Sequence, residues 1–375
     1  MFVFSACICY TVYMDKMNLI KQDVEKLLTW YQQNKRDLPW RQNTDPYRVW
    51  ISEIMAQQTR ISAVIPYFNR FVQRVPDVFS LANLPQDELM KLWEGLGYYS
   101  RARNLQAAAK VIVDQYGGVF PSDYDSILSL PGIGEYTASA IGSISFDIPA
   151  PVVDGNVLRV FCRYVNDFSD IASPKTKKNV CSFLQNVIPH HCPGEFNQAV
   201  MELGALICAP NSIPACDICP LQNGCLARQN NNWDMLPVKS AKSPRKEENY
   251  TIVLVCCDDQ ILLKKRKSSG LLADLYQYVM LDGKLTEEQI SDFLNEHHIQ
   301  NQNIHSIGEN KHIFTHKQWN MSGYFVTVSE ICEFDGYTAV SLSELTSLYP
   351  LPSAFKLYTD FIKEYHDETT TDPLH

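Results

Sequence analysis

Nowhere in its 375 residues does the chain carry an apolar run approaching the ~18–20 residues that a spanning helix needs, which rules out a helical membrane protein. Positive charge is also short. The 33 Lys and Arg are outnumbered by 42 Asp and Glu, a net charge of -9. That argues against a protein that coats nucleic acid by bulk charge, though a local basic face is still open to it. Internal repeats and low-complexity tracts are missing. The first sixteen residues, MFVFSACICYTVYMDK, are apolar but have neither the basic start nor the small-residue cleavage site of a signal peptide. Residues 1–16 therefore read as a disordered extension ahead of a natural start at Met17.

What is present is a globular composition, 45% hydrophobic and 20% charged, with length for two or three domains. From Leu19 to about Gln229 the pattern is helical: Val24, Leu27, Leu28 and Tyr31 fall at helix spacing, and Trp50, Ile54 and residues 61–75 continue it. Turn signals at Asp45-Pro46, Gly117-Gly118, Pro131-Gly132 and Pro193-Gly194 divide this region into about ten helices with no convincing strand. The polar stretch LPVKSAKSPRKEEN (236–249) reads as linker, within a boundary region of 230–249. Beyond it the period changes. TIVLVCC and QILLKKRK, split by Asp258-Asp259, predict a β-hairpin, and TEEQISDFLNEHH predicts a helix capped by Thr286. WNMSGYFVTVSE alternates as a strand, and AFKLYTDFIKEYH ends the domain as a helix. The second domain is thus α+β over 250–366, with 367–375 a tail. It holds most of the acidity: residues 1–235 have 20 basic and 22 acidic side chains, residues 236–375 have 13 and 20.

Four of the 12 cysteines crowd together as Cys208-x7-Cys216-x2-Cys219-x5-Cys225. One tight cluster in a large chain reads as a metal site in a reducing compartment, not as a disulfide framework. Four thiolates can hold Zn²⁺ or a [4Fe–4S] cluster. Only one CxxC pair is present, and the loop follows a helix (AVMELGALIC), which favours the iron–sulfur cluster over a zinc ribbon. Pro210, Pro214 and Pro220 make the segment a loop, where free thiols rarely gather. Upstream, LPGIGEYTA (130–138) links two helices. Gly132 and Gly134 let the backbone approach a ligand closely, and the helix that begins near Tyr136 offers free N–H groups to an anion. A lone GxG also fits an ordinary helix–helix turn.

Read together, this hairpin, VVDGNVLRV some twenty residues later and the four-cysteine loop resemble the helix–hairpin–helix DNA glycosylases, and among them the MutY-type adenine glycosylases. LPWRQNTDPYRVWISEIMAQQT (38–59), GLGYYSRARNL (95–105) and FNQAVMELGALIC (196–208) carry the likeness further, so that it covers the chain from Met17 onward. The resemblance implies an all-α glycosylase domain over 17–229, with the cluster loop at 208–225, followed by a smaller MutT-like (Nudix-like) domain. It implies one [4Fe–4S] cluster on Cys208, Cys216, Cys219 and Cys225. It further implies duplex DNA with adenine opposite 8-oxoguanine or guanine as the partner, and a monomer in the bacterial cytoplasm, associated with the nucleoid.

Adenine departure leaves an oxocarbenium-like sugar, so the chemistry wants an acid for the base and a negative charge for the sugar. Glu53 lies in an apolar stretch, VWISEIM, where burial would keep it protonated. The resemblance makes it the acid. Asp154 stands at a turn into a helix, where N–H groups are expected to keep it ionised. In the family it stabilises or transiently bonds the sugar cation, and Asn156 matches a polar neighbour. Taken alone, Glu53 would read as a surface carboxylate and Asp154 as an N-cap; the joint match is what raises them. Tyr136 stands where strand-cutting relatives have a Schiff-base lysine, which implies a monofunctional enzyme that leaves an abasic site. Gln57, Gln58 and Thr59 resemble the wedge beside the flipped base, and Tyr98 the aromatic inserted next to its partner. Trp40, Arg41 and Gln198 match adenine-pocket positions. Phe314, Thr315 and His316 resemble the family's Phe-Ser-His lesion-reading motif.

Two departures stand out. The first cysteine gap is seven residues where the family usually has six, and Ala56 replaces the usual leucine before QQT. Rival readings lose on specific residues. An endonuclease III-like lyase is opposed by Tyr136 and the second domain, and a non-catalytic iron–sulfur scaffold by the joint presence of Glu53 and Asp154. A Nudix pyrophosphatase needs an REx₂EE-type run for Mg²⁺, and residues 236–375 have only Arg245 and Arg266, neither before a glutamate.

Overall fold

The computed structural model describes residues 20–241 and 244–371. The expected extension at residues 1–16 lies outside the described residues. Helix α1 (residues 20–34) buries Val24, Leu27, Leu28 and Tyr31, the stripe its spacing predicts. The helices that follow are α2 (Pro46–Ala56), α3 (Ile61–Arg74), α4 (Val78–Asn83), α5 (Gln86–Leu92), α6 (Ser100–Tyr116), α7 (Tyr124–Ser129), α8 (Glu135–Phe146), α9 (Gly155–Val165), α10 (Pro174–Gln185), α11 (Pro193–Leu206) and α12 (Leu226–Gln229). Among the described residues no strand precedes Lys246, and no helix is long and apolar enough to cross a membrane. Two of the expected turn signals are helix starts instead. Pro46 and Pro193 each occupy the first turn of a helix, where a missing N–H costs nothing.

Packing divides the chain into two units, one of residues up to Ala82 with Leu105–Ala241, the other of Asn83–Asn104 with Lys242 onward. In the first unit, α1, α9, α10 and α11 close on a core that includes Leu27, Tyr31, Val157, Leu158, Val180, Phe196 and Leu203. Each such side chain contributes roughly 1.5–3 kcal/mol of burial.

The second unit contains a mixed sheet of β1 (Lys246–Cys257), β2 (Gln260–Lys265), β3 (Tyr276–Gln277), β4 (Val279–Asp282), β5 (Asn301–Ile313), β6 (Lys317–Val328) and β7 (Tyr337–Ser341). Its main order is β3-β2-β1-β6-β5; β4 also pairs with β1, and β7 with β2. The predicted β1–β2 hairpin is present, with Cys257 opposite Gln260. The apolar run in β1 serves both faces of the sheet. Ile252, Leu254 and Cys256 pack with Tyr278, Trp319 and Tyr358 on the side of α15 (Lys356–Thr371). Val253 and Val255 face Ile290 and Leu294 of α13 (Glu287–Glu296). Thr286 caps α13 through a reciprocal box with Gln289. A further helix, α14, spans Leu342–Leu348.

Three details depart from the expected boundaries. β1 begins at Lys246, inside the polar stretch read as linker, because its early residues pair in parallel with Lys317–Asn320. Helix α15 runs to Thr371, past the expected start of the tail. β5 is a long strand the sequence did not announce, with register shifts at Asn301/Asn303 and Ser306/Gly308 that break its alternation.

Candidate active site

Helix α2 starts on Asp45, whose carboxylate accepts from Tyr47 N, and it carries Glu53 on a largely buried face. Tyr136, in the first turn of α8, donates its hydroxyl to Glu53 Oε2 at 2.8 Å and lies 3.7 Å from Met201 Sδ. Burial pushes the Glu53 carboxyl up, and the nearby Asp154 charge adds to this against the opposing hydrogen bond from Tyr136. Burial also pushes Tyr136 well above the usual phenol range.

The α7–α8 hairpin is built by local rules. Asp123 caps α7 by accepting from Ser126 N, and Ile133 is buried. Gly132 has φ +75°, the left-handed region a glycine enters without strain. Gly132 and Gly134 are both exposed ahead of the free N–H groups of α8.

Asp154 is the N-cap of α9. It accepts from Val157 N at 2.7 Å and from Asn156 Nδ2 at 2.8 Å. These are the donors expected to favour its ionised form, and they act against burial. Burial raises its carboxyl above the usual range, and the hydrogen bonds from Val157 and Asn156 only offset that in part.

A cavity of about 310 Å³ opens beside Glu53, lined among others by Tyr31, Trp40, Arg41, Gln198 and Met201. Tyr31 donates to Gln198 Oε1 at 3.2 Å, and burial raises its hydroxyl to about 12. The cavity is braced by an ion cluster that the sequence reading missed. Glu202 is fully buried and binds Arg36 through Nε and Nη2 at 2.7 and 2.9 Å, and Arg41 Nη2 at 2.9 Å. Burial alone would raise its pKa, but the two guanidiniums bring it to about 2. A signal was available: Glu202 follows Gln198 by one helical turn, and an acidic residue on a buried stripe needs a cationic partner.

Arg159 was also overlooked, although it lies within the DGNVLRV motif. It is 7% exposed; its Nε donates to Cys208 O at 2.8 Å, and its Nη2 to Asn156 Oδ1 at 2.9 Å and Gly204 O at 2.8 Å. A continuous chain of contacts thus runs from the first loop cysteine through Arg159 and Asn156 to Asp154. Gly204 permits it, since a Cβ there would come within 2.6 Å of Asn156 Cβ.

Cys208, Cys216, Cys219 and Cys225 line one small cavity with Arg163 and Trp233. Arg163 Nη1 donates to Cys208 Sγ at 3.3 Å and to Ala209 O at 2.9 Å. Burial pushes the Cys219 thiol up to about 12. Among the described residues no three His, Cys, Asp or Glu side chains are arranged around a single-ion position.

The wedge candidates sit at the end of α2. Gln57 is its C-cap and reaches Thr137 Oγ1 at 3.5 Å, Gln58 is exposed with φ +58°, and Thr59 donates to Gln57 O at 3.3 Å. In the second unit, Phe314, Thr315 and His316 form the turn between β5 and β6, with Phe314 N bonded to Lys317 O. Thr315 Oγ1 lies 3.1 Å from Tyr98 Oη. Phe314 packs on Trp319 and His312, and His316 is exposed.

Residues 51–189 match the HhH-GPD superfamily of base excision DNA repair proteins, and residues 250–360 match the NUDIX domain. The adenine DNA glycosylase of Buchnera aphidicola subsp. Acyrthosiphon pisum is 34% identical over 309 residues, covering 82% of this chain and 87% of that protein. The mouse adenine DNA glycosylase is 46% identical over 212 residues, 54% of this chain and 41% of that one. Among solved structures, a thermostable thymine-DNA glycosylase superposes with TM-score 0.52 at 29% identity, covering 57% of this chain and 98% of its own. With helical and NUDIX-like parts both matched, and a relative aligned over most of both lengths, the chain belongs to the adenine DNA glycosylase (MutY) family.

Proposed function

We propose that the chain binds duplex DNA as a monomer and hydrolyses the N-glycosidic bond of adenine opposite 8-oxoguanine or guanine. The observation that carries this is Glu53, whose carboxyl burial shifts towards the protonated form, hydrogen-bonded to Tyr136 and opening on the cavity of about 310 Å³, with Asp154 near by. The adenine leaves the stack and enters that cavity, where Arg41 and Gln198 supply polar contacts to its edge. Glu53 gives its proton to the departing base. Asp154, in its ionised form, faces the cation that develops on the sugar, and that positive charge counters the burial that raises its pKa. Water completes the hydrolysis. Tyr136 holds Glu53 and offers no amine, so the product is an abasic site on an uncut strand. Gly132, Gly134 and the α8 N–H groups hold a DNA phosphate, which needs little side-chain charge. Gln57, Gln58 and Thr59 fill the vacated stack. Tyr98, with Phe314, Thr315 and His316, reads the 8-oxoguanine. The site of action is the nucleoid in a bacterial cytoplasm.

The four cysteines suit a [4Fe–4S] cluster in their chemistry: all four line one cavity, and a buried guanidinium donates to Cys208. A cluster held by these four cysteines would cross-link the loop, and Arg163 would offset its negative charge. Arg159 then hands the loop's position on to Asn156 and Asp154.

The test uses duplexes with adenine opposite 8-oxoguanine, guanine or thymine. Adenine release from the first two, with no covalent adduct trapped by borohydride, is expected. No release from any duplex overturns the activity, and a stoichiometric adduct overturns the monofunctional assignment. Iron and sulfide at about four each per chain are expected for the cofactor; one zinc and no iron would reverse it.

A further inference from the structure

The loop from Trp93 to Tyr99, which leads into α6, has a strained backbone. Gly95, Gly97 and Tyr98 adopt φ of +96°, +70° and +47°. For tyrosine the left-handed region is costly, and it persists only where the surroundings impose it. Arg101 is the side chain that does so. It is 8% exposed, and its Nη2 donates to the carbonyls of Leu96 and Gly97, both at 3.0 Å. Its guanidinium lies 5.3 Å from the Trp93 ring and 5.7 Å from the Tyr98 ring, within cation–π range. Trp93 Nε1 also donates to Gly97 O at 3.1 Å, and Arg101 N donates to Tyr98 O at 2.9 Å. Above this base Tyr98 remains 46% exposed, with its hydroxyl against Thr315 Oγ1.

We propose that Arg101 is a positioning residue that holds Tyr98 ready, backbone and ring together, for insertion beside 8-oxoguanine. The inference rests on the reading that Tyr98 enters the duplex there. An aromatic ring that must be ordered on binding loses affinity to that ordering, and one already fixed does not. The planar guanidinium suits the task because it can bridge two carbonyls while lying against two rings. A lysine ammonium cannot do both. Burial lowers the Arg101 pKa to about 10, so the side chain is still a cation at neutral pH.

Arg101 touches no reacting group, so its effect falls on binding and on partner discrimination, not on the chemical step. The test measures affinity and single-turnover base release on duplexes with adenine opposite 8-oxoguanine or guanine. The proteins are the full chain, Arg101→Lys, Tyr98→Ala and the double variant. Arg101→Lys is expected to weaken binding to the 8-oxoguanine duplex about tenfold, leave the rate of the saturated complex within about twofold, and cost nothing further in the Tyr98→Ala background. Gly97→Ala probes the same loop without disturbing a buried cation, because a Cβ at Gly97 meets nothing within 4 Å and only the backbone is strained. It is expected to show the same dependence on Tyr98. If Tyr98→Ala weakens 8-oxoguanine binding but Arg101→Lys and Gly97→Ala are additive with it, the positioning role is overturned while the Tyr98 reading survives. If Tyr98→Ala binds as the parent does, the insertion reading fails and the proposal fails with it.

Discussion

Asn156→Ala isolates the electrostatic part of the proposed mechanism. The amide donates to Asp154 Oδ2 at 2.8 Å and accepts from Arg159 Nη2 at 2.9 Å. Arg159 keeps its bonds to Cys208 O and Gly204 O, so the guanidinium is not orphaned and the stability loss should be about 1 kcal/mol. The loss at Asp154 is larger, since a hydrogen bond to a charged group is worth about 1.5–3 kcal/mol. That single quantity predicts two results. Spent on the ionised carboxylate, the loss raises the Asp154 pKa further. Spent on the transition state, it slows base release by about 10–150-fold. The assay is single-turnover adenine release on saturating enzyme from pH 5 to 9, with thermal unfolding as the fold control. The expected outcome is a slower rate with the acid limb of the profile moved to higher pH. A rate within about threefold of the parent and an unmoved acid limb would refute the reasoning. A slower rate with an unmoved limb would assign Asn156 to orienting Asp154 alone.

Further expectations follow from the same geometry. Glu53→Gln should abolish base release while DNA binding persists, because the proton is needed only in the transition state. The folded-state pKa of Glu53 is raised, so its contribution to stability is full at low pH and is lost as pH rises through that pKa. Glu53→Gln should accordingly melt higher than the parent at neutral and alkaline pH, checked by calorimetry, and a lower melting temperature there would count against burial as the cause. Glu202 behaves in the opposite sense. Its pKa is depressed to about 2, so its pairing with Arg36 and Arg41 stabilises above the unfolded value near 4.5, by about 3 kcal/mol, and is lost as pH falls between the two. Glu202→Gln should flatten acid unfolding in that window. Gly204→Ala should displace Asn156 and slow base release by more than tenfold while binding changes little, since the added Cβ overlaps Asn156 Cβ; normal kinetics would show that α9 and α11 can separate freely. Thr315→Val removes the hydroxyl facing Tyr98 and should lower the preference for 8-oxoguanine over guanine several-fold, leaving release opposite guanine intact.

What could be read from the sequence was mostly local. The stripe of α1, the N-cap at Thr286, the tight turn at Gly132 and the N-cap at Asp154 each depend on residues within a few positions of one another, and short-range sterics and hydrogen bonding decide them. The β1–β2 hairpin belongs with these, closed by a two-residue turn at Asp258-Asp259. Glu53, Tyr136 and Asp154 were named by the family resemblance of the motifs that hold them; residue type and spacing alone would have left a surface carboxylate and an N-cap. Long-range packing decided the rest. Only the fold brings Tyr136 onto Glu53, 83 positions away, or threads Arg159 from Cys208 to Asn156. The parallel pairing of β1 with β6, which turns part of a polar linker into strand, needs a partner some seventy residues further on. The grouping of residues 83–104 with the second unit likewise has no signature in sequence order. The raised Asp154 pKa makes the same point in electrostatics. Its hydrogen bonds come from its own helix and were foreseeable, but burial, which outweighs them, is set by every element packed around it.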